Sequence, residues 1–189
     1  MTIRKAIEES LEVKRAILAD EVLLGKVESA IDLCVNAFRS GSRVWFCGNG
    51  GSAADAQHLA AELSGRFFFD RKPLPAEALH VNTSFLTAVA NDYGYDQVYA
   101  RMLTGCGREG DVLFAISTSG NSTNILNAIG VAKLNGITTI GFTGEMGGRM
   151  ASLCDVLINV PSTSTPRIQE AHIMIGHIIC EAVEKNLFG

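Results

Sequence analysis

The chain has 189 residues, 47% of them hydrophobic, and a formal net charge of −4. That length and composition fit one domain with a full core, and they exclude a disordered or fibrous class. The acidic balance excludes a general electrostatic attraction to nucleic acid, so no nucleic-acid partner is expected, although backbone amides can still hold a phosphate locally.

Residues 2–39 read as helix: Ile3, Ile7, Leu11 and Ile17, then Val27, Ile31, Val35 and Phe38, recur at helical spacing with charges between them. A break is expected at Asp20 or Glu21, and Gly41 ends the segment. The pattern then changes to short apolar runs alternating with helical stretches. Strands are expected at 43–48, 77–81, 111–117, 138–144 and 155–161. Helices are expected at 53–66, near 84–91, at 94–106, 123–135 and 166–187, with a glycine-rich turn and short helix before the last strand. Continuous apolar strands separated by helices predict an α/β fold with a parallel sheet covered on both faces.

The cysteines Cys34, Cys47, Cys106, Cys154 and Cys180 are odd in number, widely spaced and contain no CxxC pair. A disulfide framework and a thiolate zinc site are therefore not expected, and reduced buried thiols in the cytoplasm are. The first twenty residues are charged throughout, unlike a signal peptide, and no apolar run is long enough to span a membrane.

Two strand-to-helix turns carry phosphate-binding chemistry. "CGNGGSAAD" (47–55) has three glycines, and "STSGNS" (117–122) sets Ser117, Thr118, Ser119 and Ser122 before a helix. Hydroxyls and free amides at a positive helix end can cradle an anion. Taken singly, either loop reads equally well as a turn with a helix cap; the two together favour phosphate. Neither GxxxxGK[ST] nor GxGxxG occurs in them, so no nucleotide cofactor is expected.

His58 and Glu62 share one helix face, one turn apart. Their small and apolar neighbours suit a general base working near neutrality, while the spacing alone fits an exposed surface pair. The last helix carries "RIQEAHIMIGH" (167–177), with Gln169, His172 and His177 among isoleucines. A lone histidine in such a helix is commonly a satisfied core residue; a second His/Glu helix raises the functional reading. Asn91 and Asp92 in "ANDYG" can bond sugar hydroxyls or cap and turn the chain.

Together "CGNGGSAADAQHLAAELSGR" (47–66), "ANDYG" (90–94), "GREGDVLFAISTSGNSTNIL" (107–126), "TGEMGG" (143–148) and "RIQEAHIMIGHIICEAVE" (167–184) resemble the sedoheptulose 7-phosphate isomerases, or phosphoheptose isomerases, of the SIS (sugar isomerase) fold. The resemblance runs over almost the whole chain. It implies one SIS domain over 1–189 with a helical segment at 1–40, and a three-layer sandwich around a five-stranded parallel sheet. It also implies a homotetramer with active sites between subunits. The implied reaction is the conversion of D-sedoheptulose 7-phosphate to D-glycero-D-manno-heptose 7-phosphate, the first step toward activated heptose for lipopolysaccharide or capsule. Carried over, Ser117, Thr118, Ser119 and Ser122 bind phosphate. Asn49, Gly50, Gly51, Ser52, Asn91, Asp92, Glu62 and Gln169 contact substrate. Glu62 and His177 are the acid/base pair, and His58, Glu62, Gln169 and His177 bind one Zn2+ per subunit.

The alternative is a non-catalytic, DiaA-like relative that regulates DnaA-dependent replication initiation. Glu62, His177 and a first loop reading "GNGGS" favour the enzyme. Other SIS enzymes, such as 3-hexulose or arabinose phosphate isomerases and muramic acid phosphate etherases, share the serine loop but are less like "QHLAAE" with "RIQEAH".

Overall fold

A computed structural model describes residues 2–189. Helices α1 (Ile3–Leu18) and α2 (Glu21–Arg39) open the chain. The break falls where expected, because the Asp20 carboxylate accepts from the Leu23 amide at 3.0 Å and caps α2. There follow β1 (Val44–Gly48), α3 (Gly51–Ser64), β2 (Ala76–Ala78), α4 (Thr83–Tyr93), α5 (Val98–Cys106), β3 (Val112–Ile116), α6 (Thr123–Leu134), β4 (Thr138–Gly144), β5 (Val156–Val160) and α7 (Thr165–Phe188). Short 3-10 turns precede α5 and β5.

Three expectations shift. The 77–81 strand pairs only over Ala76–Ala78, and the chain then turns; it is an edge strand, where short length limits the unpaired backbone. The single helix expected over 94–106 starts instead with a 3-10 turn, because Gly94 has φ +87 and cannot continue α4. The helix expected from residue 53 begins at Gly51, which draws Gly51 and Ser52 into its first turn.

All strands are parallel, in the order β2-β1-β3-β4-β5. The chain goes from β1 outward to β2 and then crosses to β3, so the winding reverses between β1 and β3. Gly48 stands level with Ile116 at this switch, and the two candidate loops leave the sheet side by side. Ligands of open parallel sheets bind at such points.

The three central strands, β1, β3 and β4, bury both faces. Phe46, Phe114 and Phe142 join the core under α2, α3 and α7, while Trp45, Leu113 and Ala115 pack toward α5 and α6. This double burial is why the strands read as continuous apolar runs. The five cysteines are free, and burial pushes the Cys180 thiol up to about 12, so it packs rather than reacts.

Helix α1 is the exception to good burial. Ile3, Ile7, Leu11 and Leu18 are exposed, Ile3 at 84%, and only Ile17 is buried.

Helices α3 and α7 approach closely at Gly176, where a Cβ would meet Leu59 Cδ1 at 2.5 Å. Leu59 is itself buried and cannot swing clear. Gly176→Ala should therefore force the helices apart and cost about 1–3 kcal/mol, read as a lowered denaturation midpoint.

Candidate active site

The first loop is tighter than its glycine count suggests. Gly50 takes φ +56, which suits glycine. Gly48 has the Ser52 backbone where a Cβ would go, and a Cβ on Gly51 would meet Gln169 Nε2 at 2.5 Å. Glycine is therefore required at Gly48 and Gly51 by the loop's own packing. Asn49 reaches across the switch point: Asn49 Nδ2 donates to Asn124 Oδ1 at 2.9 Å, and Asn124 Nδ2 returns to Asn49 Oδ1 at 2.8 Å. Tyr95 Oη approaches the same oxygen at 3.4 Å, and the Tyr99 hydroxyl donates to the Gly48 carbonyl. Ser52 is buried, with its amide on the Asn49 carbonyl at 3.0 Å.

The second loop gathers hydroxyls. Ser117 Oγ lies 3.0 Å from Ser122 Oγ and 3.4 Å from Ser119 Oγ. Ser122 occupies the cap position of α6 without a side-chain cap bond, so the helix start keeps donors for an anion. Thr118 and Ser119 line an open recess with Asn121, Glu145, Ser162 and Thr163. Gly120, at φ +65, sits where a Cβ would strike the Gly147 carbonyl. This contact gives the glycines of "TGEMGG" a reason: two loops pack backbone to backbone. Asn91 Nδ2 donates to Asp92 Oδ1 at 2.9 Å, and both residues are exposed at the end of α4, shortly before Tyr95.

Helices α3 and α7 run side by side and bring the acid/base candidates together. His58 Nε2 is 3.0 Å from Glu62 Oε1. His177 Nε2 is 3.4 Å from His58 Nε2, with the rings edge to face and centroids 5.0 Å apart. The cluster is open: the His58 and Glu62 side chains are 50% and 25% exposed. The enclosure expected from the neighbouring alanines is therefore incomplete in the single chain.

The donor set fits a zinc ion. The three ligand atoms lie within 4.8 Å of one another. Bonds of about 2.0–2.1 Å to a tetrahedral zinc put donors roughly 3.3 Å apart, close to the separations of 3.0 and 3.4 Å at His58. Two imidazole nitrogens that face each other also need a shared proton or cation between them. Gln169 does not join this group. Its amide rests against Gly51, about 10 Å of helix before His58 at 1.5 Å per residue.

His172 is a core residue, satisfied at one ring nitrogen only, since its buried Nδ1 has no hydrogen-bond partner among the described residues. Its Nε2 lies 3.1 Å from the Thr143 carbonyl. Burial pushes its pKa down to about 4, against a smaller opposing effect of that bond. The unfolded chain takes the proton near 6.5, so stability present above that pH is lost as pH falls from 6.5 toward 4. The loss is about 3 kcal/mol. Urea midpoints of His172→Asn should lack this slope.

Sequence reasoning missed Asn124, Tyr95 and Tyr99, which fix the first loop, and Arg71 and Glu184 beside the cluster. Asn124 falls within the resembling segment but carries no signal of its own. Arg71 lies in a loop, where periodicity says nothing.

Comparison with known proteins places the chain in a family. The SIS domain family model matches residues 7–144. A phosphoheptose isomerase of Sulfurimonas denitrificans is 54% identical over 99% of this chain and 96% of its own length. One of Mycobacterium tuberculosis is 56% identical over 99% and 95%. The solved structure of phosphoheptose isomerase GmhA from Neisseria gonorrhoeae superposes with a TM-score of 0.91 at 40% identity, covering 97% of each chain. With a SIS sheet, a hydroxyl loop at its switch point and near full-length similarity to these proteins, the chain belongs to the phosphoheptose isomerase family and is a sugar-phosphate isomerase.

Proposed function

We propose that this chain interconverts D-sedoheptulose 7-phosphate and D-glycero-D-manno-heptose 7-phosphate. The observation that carries the reading is the convergence of His58, Glu62 and His177 from two helices, in a fold that also presents the serine loop. Ser117, Thr118, Ser119 and Ser122 hold the phosphate with the α6 amides. Asn49, Gly50, Gly51, Ser52, Asn91, Asp92 and Gln169 border the sugar. Binding energy from the phosphate end orients the reacting carbons, where it lowers the barrier.

Glu62 takes the proton from C1 of the open-chain ketose. His177 delivers a proton to O2 as the cis-enediol forms. Glu62 then returns a proton to C2, and His177 accepts the O1 proton as the aldehyde forms. His58, at 3.0 Å from Glu62, orients the carboxylate. His58, Glu62 and His177 would hold a zinc ion, which would supply Lewis-acid polarisation of the substrate oxygen. Glu62 and His177 would be less free to transfer protons while ligating a metal. Chelation followed by zinc titration therefore separates the roles: activity retained without metal assigns the work to the side chains alone.

The exposed row Ile3, Ile7, Leu11 and Leu18 on α1 supports a homo-oligomer, a tetramer as in the family resemblance, with a second copy closing the open site. A heptose 7-phosphate product fits cytoplasmic supply of activated heptose for surface glycans. The test is a panel of ketose and aldose phosphates, including hexulose and arabinose phosphates, beside a DnaA pull-down. Turnover confined to the seven-carbon sugar supports the proposal. DnaA capture with no turnover moves the chain to the regulatory role.

A further inference from the structure

The His58–Glu62–His177 cluster depends on the spacing of two helices. Beyond Glu62 the chain leaves α3 at Ser64 and reaches β2 through residues 65–75. This segment is tied to α7 by one buried carboxylate. Glu184 Oε1 accepts from the Phe67 amide at 3.0 Å and from Arg71 Nε at 2.8 Å. Its Oε2 accepts from the Phe68 amide at 2.6 Å and the Phe69 amide at 2.9 Å. Arg71 directs its remaining donors to backbone carbonyls, one at Lys72 at 3.1 Å and the others at the end of α3. One terminal nitrogen donates to the Glu62 carbonyl at 3.0 Å, and the other to the Leu63 carbonyl at 2.9 Å and the Gly65 carbonyl at 3.2 Å.

Two paths therefore run from Glu184 to the cluster. One passes through Arg71 to the backbone of Glu62 itself. The other passes through the Phe67 amide to the Phe67 ring, whose centroid is 5.8 Å from that of His177. Glu184 is on the same helix as His177, two turns further on. A buried ion pair is a poor way to gain stability, since apolar residues of the same shape often do as well. What this pair adds is fixed direction: every acceptor position of the carboxylate and each guanidinium nitrogen is engaged.

We propose that Glu184 and Arg71 are positioning residues of the active site, locking α3 to α7 so that His58, Glu62 and His177 stay within reach of one reacting group or ion. The inference rests on the proposed role of that cluster.

The test compares Glu184→Gln and Arg71→Lys with Leu113→Ala, a core truncation on the opposite face of the sheet, all in the intact protein at a temperature where circular dichroism reports each folded. Three readouts are taken: histidine-ring contacts by NMR in metal-free protein, zinc affinity by dye competition, and kcat separately from KM. The expected result is loss of the His58–His177 ring contact in both positioning variants. Zinc should bind about 10–100-fold more weakly, and kcat should fall with KM little changed. The Leu113→Ala control should lose stability and keep all three properties. Arg71→Lys, which retains the charge but not the fork, decides the matter if Glu184→Gln does not fold. Unchanged ring contacts in folded variants would reduce the pair to a stabilising bridge and overturn the inference. Wild-type protein without isomerase activity would refute the proposed function instead, while the ring-contact measurement still decides the positioning role.

Discussion

Glu62→Gln should lower the isomerisation rate by about 10²–10⁴-fold, the usual contribution of one general acid–base group. The substitution keeps the shape and the approach to His58, now 3.0 Å, but removes the basic carboxylate. Because Glu62 is a quarter exposed and only its backbone carbonyl is tied to Arg71, the fold should survive. His177→Ala should give a loss of similar size. The double variant should be little worse than either single, because the two groups act on one proton relay. Steady-state kinetics, with thermal unfolding as a control, checks this. Glu62→Gln retaining wild-type kcat would remove Glu62 from the mechanism.

Glu184→Ala should be the most destabilising of the changes considered, by about 3–5 kcal/mol, because it strands a buried partner charge. Side-chain exposures of 2% for Arg71 and 1% for Glu184 leave no solvent to take over. In a chain of this size that loss lowers the melting temperature by on the order of 10 °C. Burial by itself would raise the Glu184 pKa, but the amides of Phe69, Phe67 and Phe68, with Arg71, outweigh it and hold the carboxyl below its ordinary 4.5. The sign follows: this carboxylate's stabilisation is present above pH 4.5 and disappears as pH falls through the lower folded value. The acid limb of the wild-type stability profile should contain that loss, and the Glu184→Ala profile should lack it.

Much of the fold was legible because its three central strands are buried on both faces. Runs such as "VLFAI" and "TTIGF" alternate with helical periodicity and leave few other arrangements. The edge strand was less legible: "EALHV" has the composition of a strand, but only pairing decides how much of it joins the sheet. The start of α3 is hidden in the sequence because glycines at 50 and 51 look like loop, whereas Gly51 is needed for close packing against Gln169.

Half of the site was readable in the same way. The spacing of His58 and Glu62 sets them on one face, and the serine loop falls where a helix begins. The approach of His177 to His58 is a tertiary fact, permitted by Gly176, and the residues alone did not separate His177 from the core histidine His172. The separation of Gln169 from the cluster and the Arg71–Glu184 tie come from contacts between distant segments, which carry no periodic signature.

The most direct test follows sedoheptulose 7-phosphate by NMR in deuterated water with metal-defined wild-type protein. The account predicts an aldose heptose 7-phosphate carrying solvent deuterium at C2, formed through the enediol. No aldose from folded, assembled protein, with zinc or without it, would contradict the account.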